Sequence, residues 1–119
     1  MNVFVIGATG YVGTAVSEAL KAAGHSVLGT ARSQAAAQNL QAMGVEPVSA
    51  DITNPSSLRD AAARSDATIY SVYYTSADVF EKESAALQTL VDTLAGTNKP
   101  FIFTSGAWIY GNTGDRSAD

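Results

Sequence analysis

Cysteine is absent from the 119 residues, so the chain forms no disulfide and has no thiol chemistry. The single histidine, His25, has no partner for a metal site, and we expect no bound metal. Long apolar runs are missing as well: Gly7 interrupts the first one, and none approaches the roughly 18–20 residues that span a bilayer. We therefore expect no membrane partner and a cytoplasmic location, where a reducing environment suits a chain without cysteine.

Positive charge is also scarce. The chain has 7 Lys and Arg against 11 Asp and Glu, a formal net charge of −4. Nucleic-acid binding requires a clustered basic face, so no nucleic-acid partner is expected. Because the net charge is negative, any anionic ligand must be held by local geometry and not by the overall charge of the protein. The length predicts one domain, residues 1–119.

The most informative segment lies at the amino terminus. An apolar run over residues 2–6 predicts a buried strand, and the turn at residues 7–13 (Gly-Ala-Thr-Gly-Tyr-Val-Gly) leads from it into a helix. Such a turn binds phosphate, because a helix start presents unpaired N–H groups and partial positive charge. Gly7 permits the tight turn, Gly10 removes a Cβ that would block a pyrophosphate, and Gly13 lets the helix pack closely on the sheet.

Strand and helix patterns alternate along the rest of the chain. Further strands are predicted at residues 26–30, 45–49, 67–72 and 100–104. Helices are predicted at about residues 35–43 and 77–95, and a shorter one begins at Pro55 with Asn54 as its N-cap. The inward faces are predicted to be Val12, Ala15, Val16, Ala19 and Leu20 in the first helix, and Phe80, Leu87, Leu90, Val91 and Leu94 in the last. Strands joined by helical crossovers predict a doubly wound parallel α/β sheet with strand order 3-2-1-4-5.

In such a sheet, ligands bind beyond the carboxyl ends of the strands. The residues there include Gly7-x-x-Gly10-x-x-Gly13, Asp51-Ile52, and Thr-Ser-Gly-Ala-Trp-Ile-Tyr-Gly at 104–111. Together these motifs resemble the extended or atypical short-chain dehydrogenase/reductases, the superfamily of nucleotide-sugar epimerases, dehydratases and NmrA-like proteins. The resemblance covers nearly the whole chain, with its motifs in the expected order, and implies a Rossmann-like fold.

The resemblance also implies a dinucleotide site. The pyrophosphate would lie at Thr9–Gly13. Asp51 would accept a hydrogen bond from the adenine amino group, and Ile52 would pack against the adenine ring. Alternatively, Asp51 is an ordinary polar residue at a strand end. The full set of predicted cofactor-binding residues is Gly7, Thr9, Gly10, Tyr11, Val12, Gly13, Arg32, Ser33, Asp51, Ile52 and Ser71.

The end of the second strand bears on the choice of cofactor. A site for NAD usually has a carboxylate there for the ribose 2′-hydroxyl, whereas this chain has Thr30-Ala31-Arg32-Ser33. A guanidinium can bind a 2′-phosphate with paired, charge-assisted hydrogen bonds, and Ser33 can add a hydroxyl donor. NADP is therefore favoured over NAD, although Arg32 could instead be a solvated loop residue.

The sequence departs from the family in its catalytic residues. None of the five tyrosines has a lysine four residues later, and Gly106 stands where the family's serine or threonine is expected. Ser105 is the one catalytic candidate; it could orient a carbonyl or simply bond to backbone. Tyr110 belongs to a Tyr-Gly pair that is more often structural, and Tyr73 and Tyr74 either pack or line the nicotinamide side.

The chain ends in a polar segment, residues 112–119, with no final strand or helix predicted. Family members continue with a sixth strand, a Tyr-x-x-x-Lys helix and a substrate-binding region, so we expect the cofactor-binding portion of a longer protein or a truncated product. Strand five would then be an exposed edge through which copies could pair into a homo-oligomer. Three functions stay open: the cofactor half of an oxidoreductase or epimerase acting on an unknown small-molecule substrate, a non-catalytic NADP sensor of the NmrA-like kind, and a structural domain without ligand.

Overall fold

The computed structural model describes residues 1–72 and 78–105, in which five strands and four helices alternate. In chain order these are β1 (Asn2–Ile6), α1 (Tyr11–Ala22), β2 (Ser26–Ala31), α2 (Gln34–Ala42), β3 (Glu46–Ser49), α3 (Pro55–Arg64), β4 (Ala67–Tyr70), α4 (Val79–Leu94) and β5 (Phe101–Phe103). Every predicted element is present in the predicted order, with ends that differ by a few residues. No helix among the described residues is long and apolar enough to cross a membrane.

The strands form one sheet in the order β3-β2-β1-β4-β5, and all four neighbouring pairs are parallel. The predicted doubly wound α/β architecture and its strand order are confirmed. The chain begins at the centre of the sheet, moves outward through β2 and β3, and then crosses to β4 and β5 on the other side of β1. The strand order therefore reverses between β1 and β4, and ligands bind beyond the strand ends at such a point.

Both faces of the central strand are covered. Val3 and Val5 pack in a cluster with residues of α1 and α2, whereas Phe4 and Ile6 pack in a second cluster with residues of α3 and α4. Because neither face meets water, β1 is apolar at four consecutive positions instead of alternating with polar residues. The core thus holds the carboxyl end of β1 in place, where the glycine turn begins.

The predicted inward face of α1 is confirmed for Val16 and Leu20 and wrong for the other three residues. The side that meets the sheet is formed by Gly13, Val16, Ser17 and Leu20. Val12, Ala15 and Ala19 are exposed instead. At Gly13 the helix lies very close to the backbone of Gly7 and Ala8, so a small residue faces inward there. The Ser17 hydroxyl donates to the Gly13 carbonyl at 2.7 Å.

The predictions for α4 and for the start of α3 are each confirmed in part. In α4, Leu90 and Leu94 are buried as predicted, but Phe80 is 75% exposed and Val91 51% exposed, because the helix has more than one apolar stripe and periodicity does not tell which one packs inward. At α3, the predicted helix start is confirmed in position, with Asn54 as N-cap and Pro55 first in the helix; the Asn54 side chain, however, makes no capping bond and accepts a hydrogen bond from the Ser56 hydroxyl at 2.8 Å instead.

Candidate functional site

A cavity of about 470 Å³ opens at the carboxyl ends of the strands. The predicted cofactor residues that line it are Gly7, Thr9, Gly10, Arg32, Ser33, Asp51, Ile52 and Ser71. These residues follow four different strands, β1 to β4, so the sheet brings together segments that are far apart in sequence.

The other three predicted residues lie beside this cavity and not in its wall. Tyr11 and Val12 begin α1 with exposed side chains, Tyr11 being 96% exposed, and Gly13 is buried beneath the turn. Their backbone N–H groups belong to the first turn of the helix and have no intrahelical partners, so they are available to a ligand.

The three glycines of the turn meet different surroundings. Gly7 has φ +88°, and an added Cβ would lie 2.3 Å from the Ser71 carbonyl oxygen; at Gly13 it would lie 1.9 Å from the Gly7 carbonyl oxygen. A Cβ at Gly10 would meet only the Gly7 oxygen, at 3.3 Å, among the described residues. The protein's own packing therefore requires Gly7 and Gly13, whereas Gly10 leaves space open beside the start of α1.

Hydrogen bonds hold the turn in shape. The Gly10 N–H donates to the Gly7 carbonyl at 3.0 Å, and the Gly7 N–H donates to Thr30 Oγ1 at 3.0 Å. The N-cap of α1 is Gly10, which gives no side-chain cap, and the first turn of the helix has no acidic residue. No side chain of the helix start therefore offsets the partial positive charge that faces the cavity.

A second helix start lies next to Arg32. Ser33 is the N-cap of α2, and its Oγ accepts a hydrogen bond from the Ala36 N–H at 3.1 Å. A hydroxyl that accepts one bond keeps its own proton to donate. The first turn of α2 also lacks an acidic residue, so the guanidinium, the hydroxyl and the helix start all favour an anion at this side of the cavity.

Asp51 is held in place at the end of β3. Its Oδ2 accepts a hydrogen bond from Thr53 Oγ1 at 2.9 Å, and its N–H donates to Ser57 Oγ at 3.1 Å. Its Oδ1 is buried and has no hydrogen-bond partner among the described residues, which leaves an acceptor for a ligand donor. Ile52 next to it is buried.

The carboxyl ends of β4 and β5 carry hydroxyl groups. Ser71 Oγ and Thr104 Oγ1 are 2.9 Å apart, and either can be the donor. Ser105 is exposed and does not line the cavity. The predicted roles of Gly106, Tyr110, Tyr73 and Tyr74 stay predictions, since these residues lie outside the described part of the chain.

Sequence reasoning missed the hydroxyl residues that hold the site, namely Thr30, Thr53, Ser57 and Thr104. Their partners lie up to 33 residues away in sequence, and no spacing pattern marks them.

Within residues 1–72 and 78–105, no group of three or more His, Cys, Asp or Glu side chains could hold a metal ion.

With this geometry in view, comparison with known proteins identifies the family. Residues 3–119 match the NAD dependent epimerase/dehydratase family. The chain belongs to this family. It is 32% identical over 112 residues to an uncharacterized protein of Saccharomyces cerevisiae, and this alignment covers 89% of this chain and 38% of the yeast protein. It is 35% identical over 83 residues to 4-hydroxy-2-methyl-3-oxo-4-farnesyl-3,4-dihydroquinoline-1-oxide ketoreductase of Stigmatella aurantiaca, covering 70% of this chain and 25% of that enzyme.

The fold is also similar to solved structures. A UDP-glucose-4-epimerase from Stenotrophomonas maltophila, crystallised with bound NAD and formylated UDP-arabinopyranose, superposes with a TM-score of 0.77 at 21% identity. The superposition covers 98% of this chain and 40% of the epimerase. The chain thus spans between 25% and 40% of the length of these three proteins.

Proposed function

We propose that this protein binds a nicotinamide dinucleotide in the cavity at the carboxyl edge, and that it prefers NADP to NAD. It would serve as the cofactor-binding part of an oxidoreductase, or of a nucleotide-sugar epimerase or dehydratase. The observation that carries the proposal is the convergence of the open Gly10 turn, Arg32 and Asp51 on one cavity.

The order of the strands supports this proposal. Across the sheet, the cavity is lined in turn by Asp51 after β3, Arg32 after β2, the glycine turn after β1 and Ser71 after β4. This matches the order of groups in a dinucleotide: adenine, adenosine ribose, pyrophosphate, and the nicotinamide half. The unpartnered Asp51 oxygen would accept from the adenine amino group, and the start of α1 would face the pyrophosphate.

The preference for NADP follows from the charges at the end of β2. A 2′-phosphate there would meet Arg32, the Ser33 hydroxyl and the start of α2, with no carboxylate in the first turn of that helix. NAD offers neutral ribose hydroxyls at the same place, so it would gain little from the guanidinium.

Replacement of Arg32 tests the preference. Arg32→Ala should weaken NADP binding about ten- to a hundredfold, since a charge-assisted hydrogen bond contributes about 1.5–3 kcal/mol, and should change NAD binding little. The matched control is Arg59→Ala, which removes the same charge from the exposed face of α3, away from the cavity lining. Isothermal titration calorimetry measures both cofactors. Equal losses for NADP and NAD in Arg32→Ala would show that Arg32 does not contact the 2′-phosphate.

A second candidate is an NADP-sensing regulatory protein without catalysis. No tyrosine among the 119 residues has a lysine four residues later, so these residues suit a sensor as well as the cofactor-binding part of an enzyme. A sensor would bind NADP and would still not oxidise NADPH when studied in its full-length form. An absence of dinucleotide binding would leave the third alternative, a structural domain.

A further inference from the structure

Two hydroxyl groups meet where β4 and β5 end. Ser71 Oγ and Thr104 Oγ1 lie 2.9 Å apart, although 33 residues separate them in sequence. Ser71 lines the cavity beside Gly7, whereas Thr104 is not part of the cavity wall. Thr104 is therefore linked to the cavity only indirectly, by its hydrogen bond to Ser71.

The sheet backbone holds both residues. The Ser71 N–H donates to the Ile6 carbonyl at 2.8 Å, which joins β4 to β1, and the Thr104 N–H donates to the Tyr70 carbonyl at 2.9 Å, which joins β5 to β4. The Ser71 carbonyl also packs against Gly7 so closely that a Cβ there would clash. The hydroxyl pair thus sits on three hydrogen-bonded strands, at the point where strand order reverses.

The pair has capacity left for a ligand. A hydroxyl has one proton and two acceptor lone pairs, and the bond between Ser71 and Thr104 uses only one proton and one lone pair. If Thr104 donates, Ser71 keeps its proton for an outside acceptor; if Ser71 donates, its oxygen still accepts. In either case the bond to Thr104 restricts where the Ser71 hydroxyl points.

We propose that Thr104 is a positioning residue, which holds the Ser71 hydroxyl toward the nicotinamide-side ribose of the bound dinucleotide. The inference rests on the proposed function, in which adenine lies at Asp51 and the pyrophosphate at the glycine turn. Ser71 comes next along this row, so the group that reaches it is the ribose beyond the pyrophosphate. Ribose hydroxyls both donate and accept, which suits either direction of the Ser71–Thr104 bond.

Two ligands distinguish this role from a general effect on the site. NADP contains both ribose groups, whereas adenosine 2′,5′-bisphosphate contains the adenine half and stops before the ribose that Ser71 would contact. Thr104→Val keeps the side-chain shape but removes the hydroxyl. It should weaken NADP binding about three- to tenfold, the scale of one neutral hydrogen bond, and leave binding of the bisphosphate unchanged.

Two more variants separate positioning from packing. Thr104→Ser retains a hydroxyl and should restore NADP affinity. Ser71→Ala should lower NADP affinity by a similar factor, and Thr104→Val should add no further loss in the Ser71→Ala background. Ser71→Ala also tests the bond if Thr104→Val does not fold, since unchanged NADP binding in Ser71→Ala overturns the inference.

The outcomes are distinguishable in calorimetric titrations of the full chain. Unchanged NADP affinity in Thr104→Val, or equal losses for NADP and the bisphosphate, overturns the role of Thr104 while the proposed function stands. If the wild-type chain binds neither NADP nor the bisphosphate, the proposed function fails, and this inference fails with it.

Discussion

The two sides of the sheet differ in what they offer a ligand. On the side of β1, β2 and β3, two helix starts, the Arg32 guanidinium and Asp51 line one cavity. On the side of β4 and β5, the described strand ends offer the hydroxyls of Ser71, Thr104 and Ser105, none of which exchanges a proton readily near neutral pH. Among the described residues, the first side therefore has groups that attract an anion, whereas the second has uncharged hydroxyls.

The same contrast appears in the packing. β1 is buried from Val3 to Ile6, whereas β5 is a described edge of the sheet with Ile102 55% exposed and Phe103 45% exposed. Apolar side chains on an edge strand leave a surface that another chain or segment could cover. Pairing of copies through β5 stays a prediction.

The largest expected effect falls on the side that holds the glycine turn. Gly13→Ala places a Cβ 1.9 Å from the Gly7 carbonyl oxygen, so the backbone of α1 or of the turn must shift. We expect a destabilisation of about 3 kcal/mol or more, seen as a large fall in the melting temperature in thermal unfolding followed by circular dichroism. A Gly13→Ala protein as stable as the wild type would show that α1 does not approach the turn this closely.

The next prediction concerns the side of β4 and β5. The 119-residue chain should not turn over a substrate unaided, because a positioned acid–base group is typically worth about 10²–10⁴-fold in rate and no tyrosine here has a lysine four residues later. NADPH oxidation is assayed against aldehydes, ketones and keto-sugars, with folding and cofactor binding confirmed on the same sample. Robust turnover would reveal an unrecognised catalytic group, and Tyr73, Tyr74 and Tyr110 would be the first residues to replace.

The smallest expected effects are changes in the free energy of unfolding on replacing two buried threonines, one from each side of the sheet. Thr68 in β4 is fully buried, and its hydroxyl has no hydrogen-bond partner among the described residues, whereas Thr30 in β2 accepts from the Gly7 N–H at 3.0 Å. Thr68→Val should leave the free energy of unfolding unchanged or raise it by up to about 1 kcal/mol, and Thr30→Val should lower it by about 1 kcal/mol. Chemical denaturation measures both variants. A larger loss in Thr68→Val than in Thr30→Val would contradict this difference between the two strands.

The architecture could be predicted because it rests on local patterns. The apolar run before Gly7 indicated a buried strand, and the alternation of strands and helices indicated a parallel sheet, for which the order 3-2-1-4-5 was favoured. The side chains that hold the site could not be predicted in this way. Thr30 bonds to a backbone group 23 residues away, and Thr104 to a side chain 33 residues away, so their partners depend on the folded sheet.

The errors in helix orientation have a related cause. The stripe that begins at Val12 follows from hydrophobicity alone, whereas α1 is turned so that Gly13 lies against the backbone of Gly7 and Ala8 and Ser17 faces inward. Apolar periodicity locates a helix well. It does not tell which of two neighbouring stripes is buried, since that depends on what the opposing surface can accommodate.

The most direct test of the central claim compares NADP binding by the wild-type chain and by Gly10→Ala. Alanine is compatible with the Gly10 backbone at φ −78°, and its Cβ would meet one protein atom at 3.3 Å, so the fold and its melting temperature should change little. The same Cβ would occupy the space beside the start of α1 that the pyrophosphate is proposed to use. We predict that calorimetry detects NADP binding to the wild type and a loss of at least about tenfold in Gly10→Ala. Equal NADP affinity in the two folded proteins would contradict a cofactor site at this turn.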